Sequence, residues 1–140
     1  KTNSIPTQSL PDGQSRSTPT SGMLFDIRAE FEVGDAKKVT ISGSGLNITY
    51  DAINQTLQGC PLEPLKGKIR IQAVVDNSII EIAGNDGRVM IHGWHGHSIT
   101  VDEIKITAHG GDAHLVSFDA HELKSIWGDQ SKRSISPVQE

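Results

Sequence analysis

The chain has 140 residues, one domain's worth, with 35% hydrophobic and 4% aromatic residues, a formal net charge of −4 and one cysteine. It has no concentrated run of Lys or Arg, which argues against nucleic acid as a main partner. No apolar run reaches the length of a membrane span, and Cys60 alone allows no internal disulfide.

The first twenty residues hold three of the six prolines and almost no large apolar side chains, so residues 1–22 are expected to form an extended tail or linker. The chain opens on Lys1 without a signal peptide and reads as an excised piece of a longer protein. From Phe25 to Val33 the alternation has no fault. Phe25, Ile27, Ala29, Phe31 and Val33 fall on one side and Asp26, Arg28, Glu30 and Glu32 on the other, a strand with one dry and one wet face. Val39–Ile41 and Leu46–Tyr50 give two further strands around a Gly43-Ser44-Gly45 turn. Lys68–Asp76, Ser78–Gly84 and Gly87–Gly93 read as a meander that turns beside Asp76-Asn77 and again at Asn85-Asp86-Gly87, where Gly87 supplies a positive φ. Ser98–Ala108 adds one or two strands, His109–Asp112 is a turn, and His114–Trp127 closes the domain. Residues 129–140 form a C-terminal tail.

No window of a dozen residues carries a helical period, and fourteen glycines fit many turns. The expected fold is all-β: a two-layer antiparallel β-sandwich, jelly-roll or concanavalin-like, over residues 23–128.

Two acids stand among the β-branched residues of the meander. Asp76, at a strand end, suits an Asx-type bond to the backbone or acceptance of a sugar hydroxyl. Glu81, in mid-strand between Ile80 and Ile82, faces outward, either to a cross-strand partner or to two adjacent hydroxyls. Asn85 and Asp86 are turn formers and also candidate ligands. In "HGWHGH" (His92–His97), Trp94 offers a flat apolar face and His95 and His97 offer ring nitrogens, which makes a sugar platform or a polar loop. The H-x-H spacing also admits a metal. Without a third ligand it does not specify one, and neither a metal nor a cofactor is assigned. Arg28 and Glu30, on the wet face of the first alternating strand, are reserve candidates for a sugar-binding surface. Cys60 reads as a small buried residue beside Pro61. The sequons Asn47-Ile48-Thr49 and Asn54-Gln55-Thr56 matter only in a eukaryotic secretory host.

The run from Val75 to Gly87 (VDNSIIEIAGNDG) resembles the signature V-D-x-S-x-x-E-x-F-x-N-D-G near the end of glycoside hydrolase family 32 proteins, the invertases, levanases and inulinases. Asn77 stands in place of the usual Arg, and Ala83 in place of the usual Phe. "FDIRAEFEVGDA" from Phe25 and "HELKSIW" to Trp127 look like the strands that open and close the C-terminal sandwich of that family. The same sandwich is similar to carbohydrate-binding module family 66. The resemblance implies a fructan or other carbohydrate partner and a catalytic domain upstream in a parent glycosidase acting on fructans. It also implies an extracellular or periplasmic setting.

The family's hydrolytic motifs, of the W-M-N-D-P, R-D-P and E-C type, are absent, and the chain is too short for the propeller that carries them. Nothing in the sequence tunes Asp76 and Glu81 apart as an acid–nucleophile pair, so this chain alone is expected to be no enzyme. The leading expectation is a non-catalytic module that captures terminal fructose through Asp76, Glu81, Asn85, Asp86, Trp94, His95 and His97. The alternative is a structural sandwich that packs on a catalytic propeller and binds no sugar. An enzyme built on the histidines has no nucleophile–base pair or phosphate loop to support it.

Overall fold

The computed structural model describes residues 2–20, 24–43, 45–94 and 103–123. Within these residues the chain forms strands and no helix, in two antiparallel sheets. In chain order the strands are β1 (Thr2–Ile5), β2 (Gln8–Leu10), β3 (Ser15–Pro19), β4 (Leu24–Glu32), β5 (Lys38–Gly43), β6 (Leu46–Asp51), β7 (Thr56–Leu57), β8 (Cys60–Pro61), β9 (Lys68–Asp76), β10 (Ile79–Gly84), β11 (Val89–Trp94), β12 (Glu103–His109) and β13 (Ala113–Glu122). A seven-stranded sheet runs β1-β13-β4-β9-β10-β11, with β2 also on β13, and a six-stranded sheet runs β3-β12-β5-β6-β7-β8. This is the two-layer sandwich that the two-residue periodicity requires.

Residues 2–19, expected as a tail, instead supply three strands to both sheets. β1 and β2 pair with β13, and β3 pairs with β12. The segment gains its core anchorage from few side chains: Ile5 and Leu10 are buried, and so are the hydroxyl-bearing Thr18 and Thr20. Backbone ladders and four inward residues hold a stretch whose composition is otherwise that of a linker. The expected C-terminal tail, 129–140, and Trp127 lie outside the described residues, as do residues 98–102 of the expected Ser98–Ala108 strands.

The dry face of β4 lies against that of β9. Phe25, Ile27, Ala29 and Phe31 pair in register with Val75, Ala73, Ile71 and Ile69, all buried. Across the layer, Phe31 meets Tyr50 of β6 edge-on, with ring centroids 6.3 Å apart at 61°. On β13, Leu115 and Phe118 are both buried although they are three residues apart, a spacing that a regular strand would place on opposite faces. A register shift between Leu115 and Ser117 resolves this, because Val116 is the extra residue of a bulge. The bulge keeps Phe118 in the core and turns Ser117 and Asp119 outward. Gly84 permits another close approach: a Cβ there would lie 2.6 Å from a methyl of Leu62 and 2.9 Å from one of Leu57.

Tyr50 is fully buried, and its hydroxyl donates to the Leu62 carbonyl at 2.8 Å. Burial pushes its phenol from the ordinary 10.0 up to about 12, with the charges of Asp51 and Glu63 adding to the effect. The folded value lies above the unfolded one, so this stabilisation is complete below about pH 10 and is lost as pH rises toward 12. Tyr50→Phe is expected to cost about 1–2 kcal/mol at neutral pH, because the Leu62 carbonyl loses its donor. It should also flatten the alkaline decline. Urea unfolding at neutral pH and in steps through the alkaline range checks both, and a parallel decline in the two proteins would contradict the assignment.

Candidate functional site

The wet faces of β4, β9, β10, β11 and β13 make up the outer surface of the seven-stranded sheet. A depression of about 560 Å³ lies on it. Strand β4 contributes Arg28 and Glu30, and β9 contributes Arg70 and Gln72. From β13 come Ser117 and Asp119, placed there by the bulge. Ala83 and Met90 close one end, and Asp86 stands at the rim.

Arg70 sits at the centre of the polar contacts. Its Nη1 donates to Asp86 Oδ2 at 2.7 Å and its Nε to Glu30 Oε1 at 3.3 Å. The hydrogen bond it donates to Asp86, then the charges of Asp86 and Glu30, hold the guanidinium above its ordinary value. Lys68 approaches Glu30 at 3.9 Å. Next to this group, Arg28 donates to Asp26 at 3.2 Å. Arg28, Arg70 and Asp86 are exposed while Asp26 and Glu30 are half-buried, so the pairs each contribute modestly to stability and the exposed donors can be exchanged for those of a ligand.

The turn that aims Asp86 is unusual in its backbone. Asn85, Asp86 and Gly87 all have positive φ, at 47°, 61° and 96°. Asn and Asp tolerate this region better than other residues with side chains, and Gly87 occupies it freely, as its sequence position predicts. Asn85 is 3% exposed. Its backbone N–H donates to the Arg70 carbonyl at 2.8 Å, and its Oδ1 accepts from the Arg70 N–H at 2.9 Å. Its Nδ2 donates to the Glu63 carbonyl at 3.0 Å. The expectation that Asn85 contacts a ligand is therefore corrected: its amide is buried and bound to backbone. Its role is to fix the Arg70 backbone beneath the depression.

The other sequence candidates divide. Asp86 lines the depression, as do the reserve residues Arg28 and Glu30. Glu81 lies on the same outer face, two residues from Ala83 and so roughly 7 Å along the strand. It pairs across to His92 of β11, with His92 Nδ1 3.2 Å from Glu81 Oε2, an ion pair when the ring is protonated. Asp76 is exposed at the far end of β9, four residues from Gln72 and roughly 13 Å from it. It is the last paired residue before the Asn77-Ser78 turn, where Asn77 takes φ 59°. Its carboxylate makes no hydrogen bond or ion pair with the described residues, so the Asx-type bond is not formed with them. Trp94 ends β11 opposite Ile79, but its side chain, like the whole of His95 and His97, lies outside the described residues. Cys60 is a half-buried free thiol. Among the described residues no group of three or more His, Cys, Asp or Glu side chains is gathered as a metal site would require. No helix among them is long and apolar enough to cross a membrane.

Arg70 and Gln72 do not stand out in the sequence. Their signal is the alternation Lys68, Arg70, Gln72 on the wet face of β9, directly across from Glu32, Glu30 and Arg28.

Asn85→Ala is expected to lower stability by about 2–3 kcal/mol, since the Arg70 N–H and the Glu63 carbonyl each lose a part-buried hydrogen bond and Ala is placed at φ 47°. Asp86→Ala, at an exposed side chain but at φ 61°, should cost less, about 1 kcal/mol, chiefly from placing Ala in the left-handed region. Urea titration of both variants checks the contrast, and equal effects would contradict it.

The family model for the C-terminal region of glycosyl hydrolases family 32 matches residues 1–122. A levanase of Bacillus subtilis (strain 168) is 31% identical over 87 residues, which is 62% of this chain and 13% of that protein. A levanase of Bacillus sp. (strain L7) is 30% identical over 128 residues, 82% of this chain and 14% of that protein. The chain thus spans about a seventh of the curated relatives' length. Among solved structures, fructofuranosidase from Schwanniomyces occidentalis complexed with fructose superposes with a TM-score of 0.72 at 19% identity, over 89% of this chain and 34% of that one. The carbohydrate-binding module CBM66 from Bacillus subtilis does so with a TM-score of 0.62 at 10% identity, over 79% of this chain and 83% of that one. At these identities the two structures bear on the fold.

Proposed function

The chain belongs to the glycosyl hydrolase family 32 C-terminal domain family, and from that premise we propose that it is a non-catalytic module that binds fructan through the outer face of the seven-stranded sheet. The observation that carries the reading is the depression lined by Arg28, Glu30, Arg70, Gln72, Asp86 and Asp119. It mixes carboxylates that accept from hydroxyls with guanidiniums and an amide that donate to them, the chemistry that neighbouring sugar hydroxyls need.

Fructosyl units, the terminal one included, enter with their hydroxyls toward Arg28, Gln72 and Arg70. The similarity to two levanases supports fructan over other glycans. Glu81, beside the depression, is an auxiliary acceptor. Asp76 and, with their side chains outside the described residues, Trp94, His95 and His97 remain candidates for contacts further along the face. Single-site affinity is weak, since every polar group on sugar and protein must be desolvated. In a parent glycosidase acting on fructans, in an extracellular or periplasmic setting, tethering would raise the local substrate concentration at the catalytic domain.

A second reading has one observation in its favour. Ile79 and Met90, on the same sheet but four residues apart in register, are 52% and 55% exposed, apolar side chains that a catalytic propeller would cover if the sandwich were a structural support.

Affinity electrophoresis through levan separates the two. The parent chain is expected to be retarded by levan and not by xylan. Arg70→Met combined with Gln72→Ala should weaken the retardation by about tenfold or more, given that hydrogen bonds to charged groups are worth about 1.5–3 kcal/mol. Absence of retardation in the parent chain would favour the structural support.

A further inference from the structure

The residues that line the depression come from five adjacent strands and the turn at Asp86-Gly87. Its members are arranged in two rows that follow the sheet register. In the first, Asp119 pairs with Arg28, Arg28 with Gln72, Gln72 with Ala83 and Ala83 with Met90. The five residues come from five adjacent strands. At about 4.8 Å per inter-strand step the row is about 19 Å long. In the second row Ser117 pairs with Glu30 and Glu30 with Arg70, whose guanidinium carries on to Asp86. The two rows lie two residues apart along the strands, roughly 7 Å. The two rows bound a trough that crosses the strands, nearly three times as long as the rows are apart.

A five-membered sugar ring with its exocyclic groups spans roughly 6 Å, from ordinary covalent bond lengths of about 1.5 Å. One such ring fills about a third of the trough. The polar groups are also spread out. A pocket for a single small ligand aims its few polar groups at one point. Here each of β13, β4 and β9 presents hydrogen-bonding side chains at its own step, and the trough ends on the methyl of Ala83 and the exposed thioether of Met90.

We propose that the trough takes about three consecutive sugar residues laid across the strands, so that its ligand is an oligosaccharide stretch and not a lone monosaccharide. This rests on the fructan reading above and adds the size and direction of the bound segment. Hydroxyl-rich edges lie along Asp119, Arg28 and Gln72, and the less polar C–H edge of a further unit packs on Ala83 and Met90. Because the trough runs across the strands, positions at its two ends touch different sugar residues, and their substitutions separate by ligand length.

The test is calorimetric titration of the chain with fructose and with β-2,6-linked fructose oligomers of two to five units prepared from levan. Affinity is expected to rise at least tenfold from fructose to the trimer and to change less than threefold beyond the tetramer. Met90→Asp, at the far end, should reduce trimer binding by about fivefold or more and leave fructose binding within twofold. Arg28→Ala, which sits nearer the polar end, should weaken both. Equal affinity for fructose and the trimer, or a Met90→Asp variant that binds the trimer as the parent does, would overturn the trough length while leaving fructan binding in place. Failure of every fructose ligand to bind would overturn both. Circular dichroism of each variant, matching the parent, confirms that the fold is kept.

Discussion

The Asn85 amide and its backbone hold Arg70 at two points and the Glu63 carbonyl at a third, and the polar face of the sheet is arranged around Arg70. Two hydrogen bonds tie Asn85 to the Arg70 N–H and carbonyl, and the third ties it to the loop at Glu63. A buried amide with an unmet partner is costly, so the turn from Asn85 to Gly87 cannot slip without breaking bonds that nothing else replaces. With the Arg70 backbone fixed, Asp86 and Glu30 set the direction of its guanidinium. The asparagine and aspartate of the N-D-G run thus do different jobs, one below the sheet surface and one above it.

The core and the outer face are two sides of one alternation. Each residue that β4 and β9 send inward forces its neighbour outward, so the packing of Phe25, Ile27 and Phe31 places Asp26, Arg28 and Glu30 on the wet side. A one-residue slip would exchange core for surface. The bulge at Val116 does the same for β13, setting Ser117 and Asp119 against Glu30 and Arg28. The trough is therefore a product of register: its spacing is the inter-strand spacing, and its polarity is the wet half of five strands.

Strands β4, β5, β6, β9 and β13 were legible in the sequence because they carry apolar residues at alternate positions, whereas β7 and β8, two residues each, carry no such period. The meander was legible because its turns carry Asn, Asp and Gly. Residues 2–19 were not, since Ile5 and Leu10 are single apolar residues in polar strands, and Thr18 and Thr20 fill inward positions that hydropathy does not flag. The burial of Asn85 was hidden because its third partner, the Glu63 carbonyl, lies 22 residues earlier. Arg28, Glu30 and Asp86 were visible as candidates. Arg70 and Gln72 gained meaning only from the register that sets them beside Glu30 and Arg28. Asp76 and Glu81, conspicuous as acids among isoleucines, stand further along the face: one at the hairpin end, the other paired with His92.

The central claim is that sugar meets the protein on the outer face of the seven-stranded sheet. Two-dimensional amide and side-chain NMR of the labelled chain, titrated with levan oligomers, examines it directly. Shifts are expected to concentrate at the Arg70 and Arg28 guanidinium N–H, the Gln72 side-chain amide, the Ser117 and Asp119 backbone amides and the Met90 methyl, with Thr40, Thr49 and Lys105 of the opposite sheet unmoved. Shifts confined to that opposite sheet, or none at saturating oligomer, would contradict it.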